Sequence, residues 1–350
     1  MLSLWSVLGA RATGARRERM RRSAQYRDGV FVNAEPTPMM RPGVSIFALL
    51  FRALFRRSPA RRPSSPLPFV RTNLRTLPDL SPSLVWFGHS SYLLRYRGRT
   101  LLVDPVFSGY AAPVPFAVRA FAGTDAYGPA EMPARIDALL VTHDHYDHLD
   151  YGSIRALKDR VGRFVVPLGV GAHLEAWGIE AERIVELDWW ESSRLFDDVE
   201  ITATPARHFS GRGLRRCATL WCSFALRVGE FRVFVGGDSG YDPGLRQVGD
   251  RLGPFDLALL ECGQYNEDWP YVHQFPEQTV LAAAHLRARA LLPVHWGKFV
   301  LSLHDWREPI RRVSRSAADA GLELVTPRIG EVVGLGGGAW PRTPWWESVE

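Results

Sequence analysis

One ten-residue segment limits what this chain can fold into more than any other. Residues 141–150 (VTHDHYDHLD) hold three of the ten histidines, directly after the apolar run 138–142 (ALLVT). The run predicts a β-strand, and a loop at a strand end can turn several side chains toward one point. Imidazole and carboxylate groups are natural ligands of zinc and similar ions. The spacing His-x-His-x-Asp-His predicts two metal ions, one bound by His143 and His145 and the second by Asp147 and His148.

The chain around this segment has the sequence pattern of an α/β fold. Helical patterns cover 152–160, 278–289 and 307–320. Short β-rich runs predict strands over 84–87, 92–96, 100–103, 138–142, 164–167, 184–187, 199–204, 221–228, 232–236, 290–294 and 323–326. No repeat of fixed period occurs, which disfavours a solenoid or a propeller. Two sheets packed face to face, with helices outside them, accommodate this order of elements.

Composition excludes several other classes of protein. Hydrophobic residues make up 46% of the 350 residues, enough to bury a sizeable core and too many for a disordered chain. The three cysteines, Cys217, Cys222 and Cys262, form no regular framework. They favour buried thiols in a reducing compartment over a disulfide-built secreted protein. No apolar stretch of about 18 residues occurs, so the sequence predicts no transmembrane helix.

The first 75 residues are rich in arginine and poor in acidic residues, in a chain of formal net charge +6. We interpret residues 1–75 as a basic N-terminal extension and residues 76–345 as the main domain. Within the extension, residues 44–55 (VSIFALLFRALF) are apolar and too short to span a membrane. They could lie in a membrane interface as an amphipathic helix or pack on the domain as a core helix. The basic start could contact an anionic membrane or nucleic acid, or form a solvated leader.

The histidine-rich motif resembles the hallmark of the metallo-β-lactamase superfamily. This resemblance implies a four-layer αββα sandwich and three further metal ligands, each at a strand end. Three residues match these positions in order: His208 would complete the first metal site, Asp238 would bridge the two ions, and His295 would complete the second site. They follow the predicted strands 199–204, 232–236 and 290–294.

A narrower resemblance is to the N-acylphosphatidylethanolamine-hydrolysing phospholipase D family, a zinc phosphodiesterase branch of this superfamily. The matching segments are FVNAEPT (31–37), WFGHSS (86–91), VDPVFS (103–108), THDHYDHLDY (142–151), VPLGV (166–170), ELDWWE (186–191), GDSGY (237–241), GPFDLA (253–258) and HWGKF (295–299). The resemblance implies cleavage of N-acylphosphatidylethanolamine-like phospholipids to phosphatidic acid and an N-acylethanolamine. Residues 44–68 and the loop 211–216 (GRGLRR) depart from the family, which leaves the exact substrate open.

The resemblance also implies a mechanism. Two divalent ions would hold a hydroxide that attacks the phosphodiester, with zinc as the expected metal and iron or manganese as alternatives. Asp147 would bind the second ion and also orient this hydroxide. His273, in WPYVHQFP, would bind the phosphate or protonate the leaving group.

Four more residues are candidates for supporting roles around this centre. Gln264 and Tyr265 lie in the loop before His273 and are expected to line the substrate pocket. His89 is expected to orient Asp104 or a metal ligand, with a buried histidine bonded to the backbone as the alternative.

Two other functions stay open from the sequence. A sugar-phosphate lactonase or another metal-dependent hydrolase of the superfamily would need no membrane segment, so the apolar and basic stretch favours the lipid substrate. A non-catalytic metal-binding protein would be expected to have lost ligands, and each ligand position is filled here. The expected partners are a phospholipid or other phosphodiester substrate and an anionic membrane surface; no nucleic acid is expected, and a homodimer stays open. The expected location is the cytoplasm, with peripheral attachment to the inner membrane.

Overall fold

The computed structural model describes residues 4–45, 58–77, 82–213, 215–336 and 339–350. Residues 46–55 of the predicted interface helix lie outside the described residues. The α-helices within the described ranges are α1 (Leu4–Leu8), α2 (Gly14–Arg21), α3 (Tyr151–Leu157), α4 (Gly171–Ala176), α5 (Leu245–Leu252), α6 (Pro276–His285) and α7 (Glu308–Asp319). No helix within those ranges is long and apolar enough to cross a membrane.

The β-strands form one short hairpin and two large sheets. In chain order they are β1 (Tyr26–Arg27), β2 (Val30–Phe31), β3 (Ser83–Trp86), β4 (Tyr92–Tyr96), β5 (Arg99–Val103), β6 (Ile136–Leu140), β7 (Val161–Pro167), β8 (Ile184–Leu187), β9 (Ser192–Phe196), β10 (Val199–Thr204), β11 (Ser223–Val228), β12 (Phe231–Val235), β13 (Leu257–Glu261), β14 (Ala290–Val294), β15 (Glu323–Leu324) and β16 (Val332–Gly334).

The two large sheets have the same internal plan. The first has the order β16-β3-β4-β5-β6-β7-β8, antiparallel from β16 to β5 and parallel from β5 to β8. The second has the order β15-β14-β13-β12-β11-β10-β9, antiparallel from β9 to β12 and parallel from β12 to β15. Each sheet therefore combines a meander with a set of crossover connections, as a mixed α/β fold requires.

The central strands are buried on both faces. All five residues of β6, β13 and β14 are buried, and their sequences are nearly continuous apolar runs rather than alternating ones. Helix α6 packs against β13 and β14, and α7 packs against β15. The predicted α/β class, with two large sheets and helices outside them, is confirmed.

The loops that follow the strands carry the candidate site residues. The histidine motif follows β6, His208 follows β10, Asp238 follows β12 and His295 follows β14. Two site residues directly after strand ends have left-handed backbone conformations, with φ of 41° at Asp104 and 64° at His295, and His89, three residues after β3, has a φ of 54°. Such conformations are costly for residues other than glycine and are typical of functional sites that the surrounding structure holds in place.

Some elements differ from the sequence-based prediction. The predicted helix over 278–289 begins at Pro276 and ends at His285. Proline suits the first helical turn, and Arg287 has a φ of 55°, which is incompatible with a continuing helix. The sequence does not predict β9, β13, β16, α4 or α5, because runs this short carry little periodicity.

The N-terminal region lies against the main domain over much of its described length. Val7, Met20 and Phe31 are buried in the hydrophobic core. The indole Nε1 of Trp177 donates to the carbonyl oxygen of Ser6 (2.7 Å), and the amide of Phe31 donates to the carbonyl oxygen of Cys217 (2.8 Å). The domain boundary at residues 75 and 76 stays a prediction.

Candidate metal centre

The structure brings together all seven predicted metal ligands. They fall into overlapping groups whose ligand atoms lie within 4.8 Å of one another. The groups are His143, His145, His208 and Asp238; His89, Asp147, His148 and His295; and Asp238, Glu261, His273 and His295. The first two groups match the pairing that the motif predicts.

The first group has three converging imidazoles. Nδ1 of His145 lies 2.9 Å from Nε2 of His143 and 3.2 Å from Nε2 of His208. Nitrogens bound to one tetrahedral zinc ion, with bonds of about 2.0–2.1 Å, are separated by about 3.3 Å. The spacing of these nitrogens is therefore close to what a shared ion requires.

Asp238 lies between the two groups. Its Oδ1 is 3.1 Å from Nε2 of His148, and its Oδ2 is 3.1 Å from Nε2 of His295. The same Oδ2 is 3.8 Å from Nε2 of His143 and 3.8 Å from Nε2 of His208. This is the arrangement expected of a carboxylate that bridges two ions.

The second group gathers around Asp147. Its Oδ2 lies 3.2 Å from Nε2 of His295 and 3.6 Å from Nε2 of His148. Nε2 of His148 and Oδ1 of Asp238 are buried, and neither has a hydrogen-bond partner of acceptable geometry. Buried polar atoms are normally satisfied, so unsatisfied ligand atoms that face one another fit a centre built for cations.

Two of the histidines are oriented through their second ring nitrogen. Nδ1 of His148 lies 2.7 Å from Oδ2 of Asp104, and Nδ1 of His208 lies 2.8 Å from the carbonyl oxygen of Val272. Asp104 also accepts from the amide and hydroxyl of Thr142. Partners of this kind hold an imidazole so that its free nitrogen faces the metal. Asp104 thus lies beside the candidate ligand His148, and its supporting role stays a prediction.

The charges of the cluster suit cation binding. Burial and the nearby His148 keep the pKa of His143 well below its ordinary value, so its ring is neutral. Burial would raise the pKa of Asp238, but the rings of His148 and His295 hold it well below its usual range. Burial opposes a charge on His148, yet Asp238 and Asp147 raise its pKa to about 10. The carboxylates therefore attract positive charge, which divalent ions can supply in exchange for protons.

One member of the groups, Glu261, has a placement that the sequence does not predict. Glu261, the last residue of β13, is buried and its Oε2 lies 2.7 Å from Nδ1 of His273. A glutamate that ends an apolar run was the available signal. Nε2 of His89 lies 2.9 Å from Oδ2 of Asp147, so of the two expected partners of His89 it contacts the candidate metal ligand and not Asp104. His273 stacks on His295, with ring centroids 5.2 Å apart.

Gln264 and Tyr265 are engaged in other contacts. The side-chain oxygen of Gln264 accepts from the amide of Leu301, and its amide group donates to the carbonyl oxygen of Phe299. The hydroxyl of Tyr265 donates to Glu308 (2.7 Å). Both side chains stabilise neighbouring loops and helices, and their substrate-binding role stays a prediction.

A cavity of about 430 Å³ opens beside His208. Its walls are mostly apolar and come from the segment after β1 and from the loop after His208. Val32, Met39 and Phe209 contribute to the wall, and the exposed Arg216 lies at its border. His208 is thus both a candidate metal ligand and part of the cavity wall.

The family of this chain follows from a comparison with known families. The model of the β-lactamase superfamily domain matches residues 99–296, more than half of the chain. The matched range includes the motif and all seven predicted ligands. The chain belongs to the metallo-β-lactamase superfamily of metal-dependent hydrolases.

Relatives and solved structures agree with this assignment. An uncharacterised protein of Mycobacterium tuberculosis is 39% identical over 97% of this chain and 92% of its own length. N-acyl-phosphatidylethanolamine-hydrolysing phospholipase D 1 of Caenorhabditis elegans is 30% identical over 71% of this chain and 74% of its own length, which confirms the resemblance to that family. The metallo hydrolase Igni18 of Ignicoccus hospitalis shares the fold, with a TM-score of 0.54 and 19% identity over 72% of this chain and 97% of its own.

Proposed function

We propose that this chain is a phosphodiesterase of the phospholipase D type. Its substrates would be N-acylphosphatidylethanolamine-like phospholipids, and its products phosphatidic acid and an N-acylethanolamine. The observation that carries the substrate class is the Caenorhabditis elegans relative of that activity, which is 30% identical over 71% of this chain. Peripheral attachment to an anionic membrane from the cytoplasmic side belongs to the same proposal, because the substrate is a lipid.

The ligand groups support a centre with two ions. The first ion would be held by His143, His145 and His208, the second by Asp147, His148 and His295, and both by Asp238. Zinc suits this set because its ligands in proteins are imidazole, thiolate and carboxylate. When bound, such ions lower the pKa of water and polarise a phosphoryl oxygen.

The protein's own residues would orient the reactants. Oδ2 of Asp147 is fixed between His89 (2.9 Å) and His295 (3.2 Å), which supports a role in orienting the attacking water. His273 would donate a proton from Nε2 to the leaving oxygen, or a hydrogen bond to the phosphate. Glu261, bonded to Nδ1 of His273, would stabilise the protonated ring.

The cavity beside His208 fits an apolar part of such a substrate. Its volume of about 430 Å³ lies within the usual range for small-molecule sites, about 300–1,000 Å³. Apolar walls favour an acyl chain over a sugar phosphate, and Arg216 at the border would attract a phosphate group.

Hydrolysis of N-acylphosphatidylethanolamine in mixed micelles tests this proposal. The purified protein, loaded with a defined amount of zinc, is compared with Asp147→Asn. Release of N-acylethanolamine by the wild type alone supports the proposal. If no N-acylethanolamine is released but a simple phosphodiester or a lactone is hydrolysed, the lipid substrate is excluded. The assignment as a metal-dependent hydrolase would then remain.

A further inference from the structure

The N-terminal segment is in contact with two of the loops that carry metal ligands. We propose that residues 6–33 support the metal centre, and that Asn33, His173 and Arg212 are the positioning residues that connect this segment to the ligand loops. This inference rests on the metal centre and is independent of the phospholipid substrate.

His173 connects the segment to the histidine motif. Its Nδ1 accepts a hydrogen bond from the backbone amide of Ala10 (3.0 Å), so the ring proton is on Nε2. Nε2 then donates to Oδ2 of Asp144 (3.3 Å), the residue between His143 and His145. Asp144 is further fixed by the amide of Gly211 (2.7 Å). The backbone of Ala10 is thereby linked through His173 to Asp144, which lies between the candidate ligands His143 and His145.

Arg212 makes a second connection to the same motif. Although Arg212 lies in the basic loop 211–216, its side chain is buried. Its guanidinium donates to the carbonyl oxygen of Val7 through Nε (3.1 Å) and Nη2 (2.9 Å), and through Nη1 to the carbonyl oxygens of Asp144 (2.9 Å) and Leu149 (2.6 Å). The buried guanidinium of Arg212 therefore joins the backbone of Val7 to the backbone of the ligand loop at Asp144 and Leu149. Loss of the Val7 carbonyl would leave buried donors unsatisfied, which is costly.

Asn33 holds the loop of a third ligand. Its side-chain nitrogen donates to the carbonyl oxygen of His208 (2.7 Å), and its side-chain oxygen accepts from the amide of His208 (3.1 Å). The indole of Trp221 also donates to that oxygen (3.3 Å). The two bonds to one residue fix the backbone of His208 as a strand partner would.

These contacts matter because the ligand loops lack regular structure. Residues 141–150 and 205–210 lie in turns, bends, an isolated bridge and irregular segments. Their geometry must therefore come from tertiary contacts, and ligand geometry sets metal affinity. Asn33, His173 and Arg212 provide such contacts from outside the ligand set.

Two glycines offer a matched test that leaves the ligand loops untouched. Gly9 (φ +77°) and Gly14 (φ +52°) both have left-handed conformations, so alanine is strained at either position. A Cβ at Gly9 would lie 2.1 Å from Nδ1 of His173, whereas a Cβ at Gly14 would meet no atom within 4 Å. The difference between Gly9→Ala and Gly14→Ala isolates the contact with His173.

The readouts are zinc affinity, measured by competition with a chelator, and the visible absorption spectrum of the protein loaded with Co²⁺. Gly9→Ala should bind zinc about tenfold more weakly than wild type. Loss of a group that orients the metal ligands typically weakens metal binding about 10–100-fold. The cobalt spectrum of Gly9→Ala should change, because the ligand field depends on the geometry of the loop. Gly14→Ala should match the wild type in both measurements.

Asn33 provides the second test. Asn33→Ala should lower zinc affinity about tenfold, and Asn33→Asp, which retains the acceptor for the His208 amide, should restore part of it. The control is Asn73→Ala, which removes an exposed turn contact to the amide of Arg75. Wild-type zinc affinity and cobalt spectra in folded Gly9→Ala and Asn33→Ala would overturn the proposal. Neither readout involves a lipid, so this failure is distinct from failure of the phospholipase assignment.

Discussion

Oε2 of Glu261 lies 2.7 Å from Nδ1 of His273, at the border of the metal centre. Glu261 is buried at the end of β13, and its other oxygen accepts from the amide of Ser239 (2.6 Å). The carboxylate is therefore fixed, and it fixes the imidazole in turn. In the proposed mechanism, this pair would provide a proton-transfer group beside the candidate metal ligands.

The pair predicts a specific loss of turnover. Glu261→Gln retains the shape but removes the charge that stabilises protonated His273, so kcat should fall about 100-fold, at the lower end of general acid–base contributions. Both variants are assayed at saturating zinc, because Oε2 of Glu261 also lies 3.4 Å from Nδ1 of the candidate ligand His295. His273→Asn should lower kcat similarly, and the double variant should be no slower than the slower single one. Additive losses in the double variant would contradict a shared role.

Asp104 is expected to determine the affinity of the second ion. Asp104→Asn removes the carboxylate that faces Nδ1 of His148 at 2.7 Å, and zinc affinity should fall about 10–100-fold. Chelator competition measures the effect. The matched control is Asp137→Asn. Asp137 is a buried aspartate near the N-terminal end of β6, away from the histidine motif, and its side chain accepts a hydrogen bond from the amide of Thr100. Asp137→Asn should lower stability and leave zinc affinity unchanged; equal losses in both variants would contradict the assignment.

The buried Lys298 predicts a pH dependence of stability. Its ammonium donates to the carbonyl oxygen of Val106 (2.8 Å), and burial lowers the pKa of Lys298 from 10.5 to about 8. Between these values the unfolded state binds more protons, so stability rises with pH in that window. Metal-free wild type should gain about 2 kcal/mol relative to Lys298→Met between pH 7 and 9.5. Urea unfolding of both proteins measures this gain, and a constant difference would contradict the low pKa.

Removal of metal should destabilise the fold. Each ligand group places at least two imidazoles and one carboxylate within 4.8 Å of one another, and ions that bind only the folded state stabilise it. At a free zinc concentration about 1,000 times Kd, the contribution is about 4 kcal/mol. A chelator should therefore lower the melting temperature by several degrees, and added zinc should restore it. His143→Ala/His148→Ala should show no such shift, and an unchanged wild-type melting temperature would exclude a structural contribution from the ions.

The convergence of the seven candidate ligands was predictable because they are local in sequence or follow recognisable strands. The motif after β6 is recognisable because three histidines fall within six residues. His208, Asp238 and His295 each follow a β-rich run. Strand ends place these loops at one edge, whatever the details of their packing.

The supporting contacts were less predictable, for three physical reasons. Glu261 ends a short apolar run that carries no periodicity, so its strand was not assigned. The orientations of His89 and Asp104 depend on left-handed backbone conformations that the sequence does not indicate. Arg212 bonds to backbone carbonyl oxygens far along the chain, and such contacts leave no residue pattern.

Metal stoichiometry tests the central claim most directly. The account predicts two zinc ions per chain in the wild type after saturation and gel filtration, measured by inductively coupled plasma mass spectrometry. Asp238→Ala, which removes the carboxylate shared by both groups, should retain no more than one ion. One ion or none per chain in the wild type, or two ions retained by Asp238→Ala, would contradict a centre in which Asp238 joins two metals.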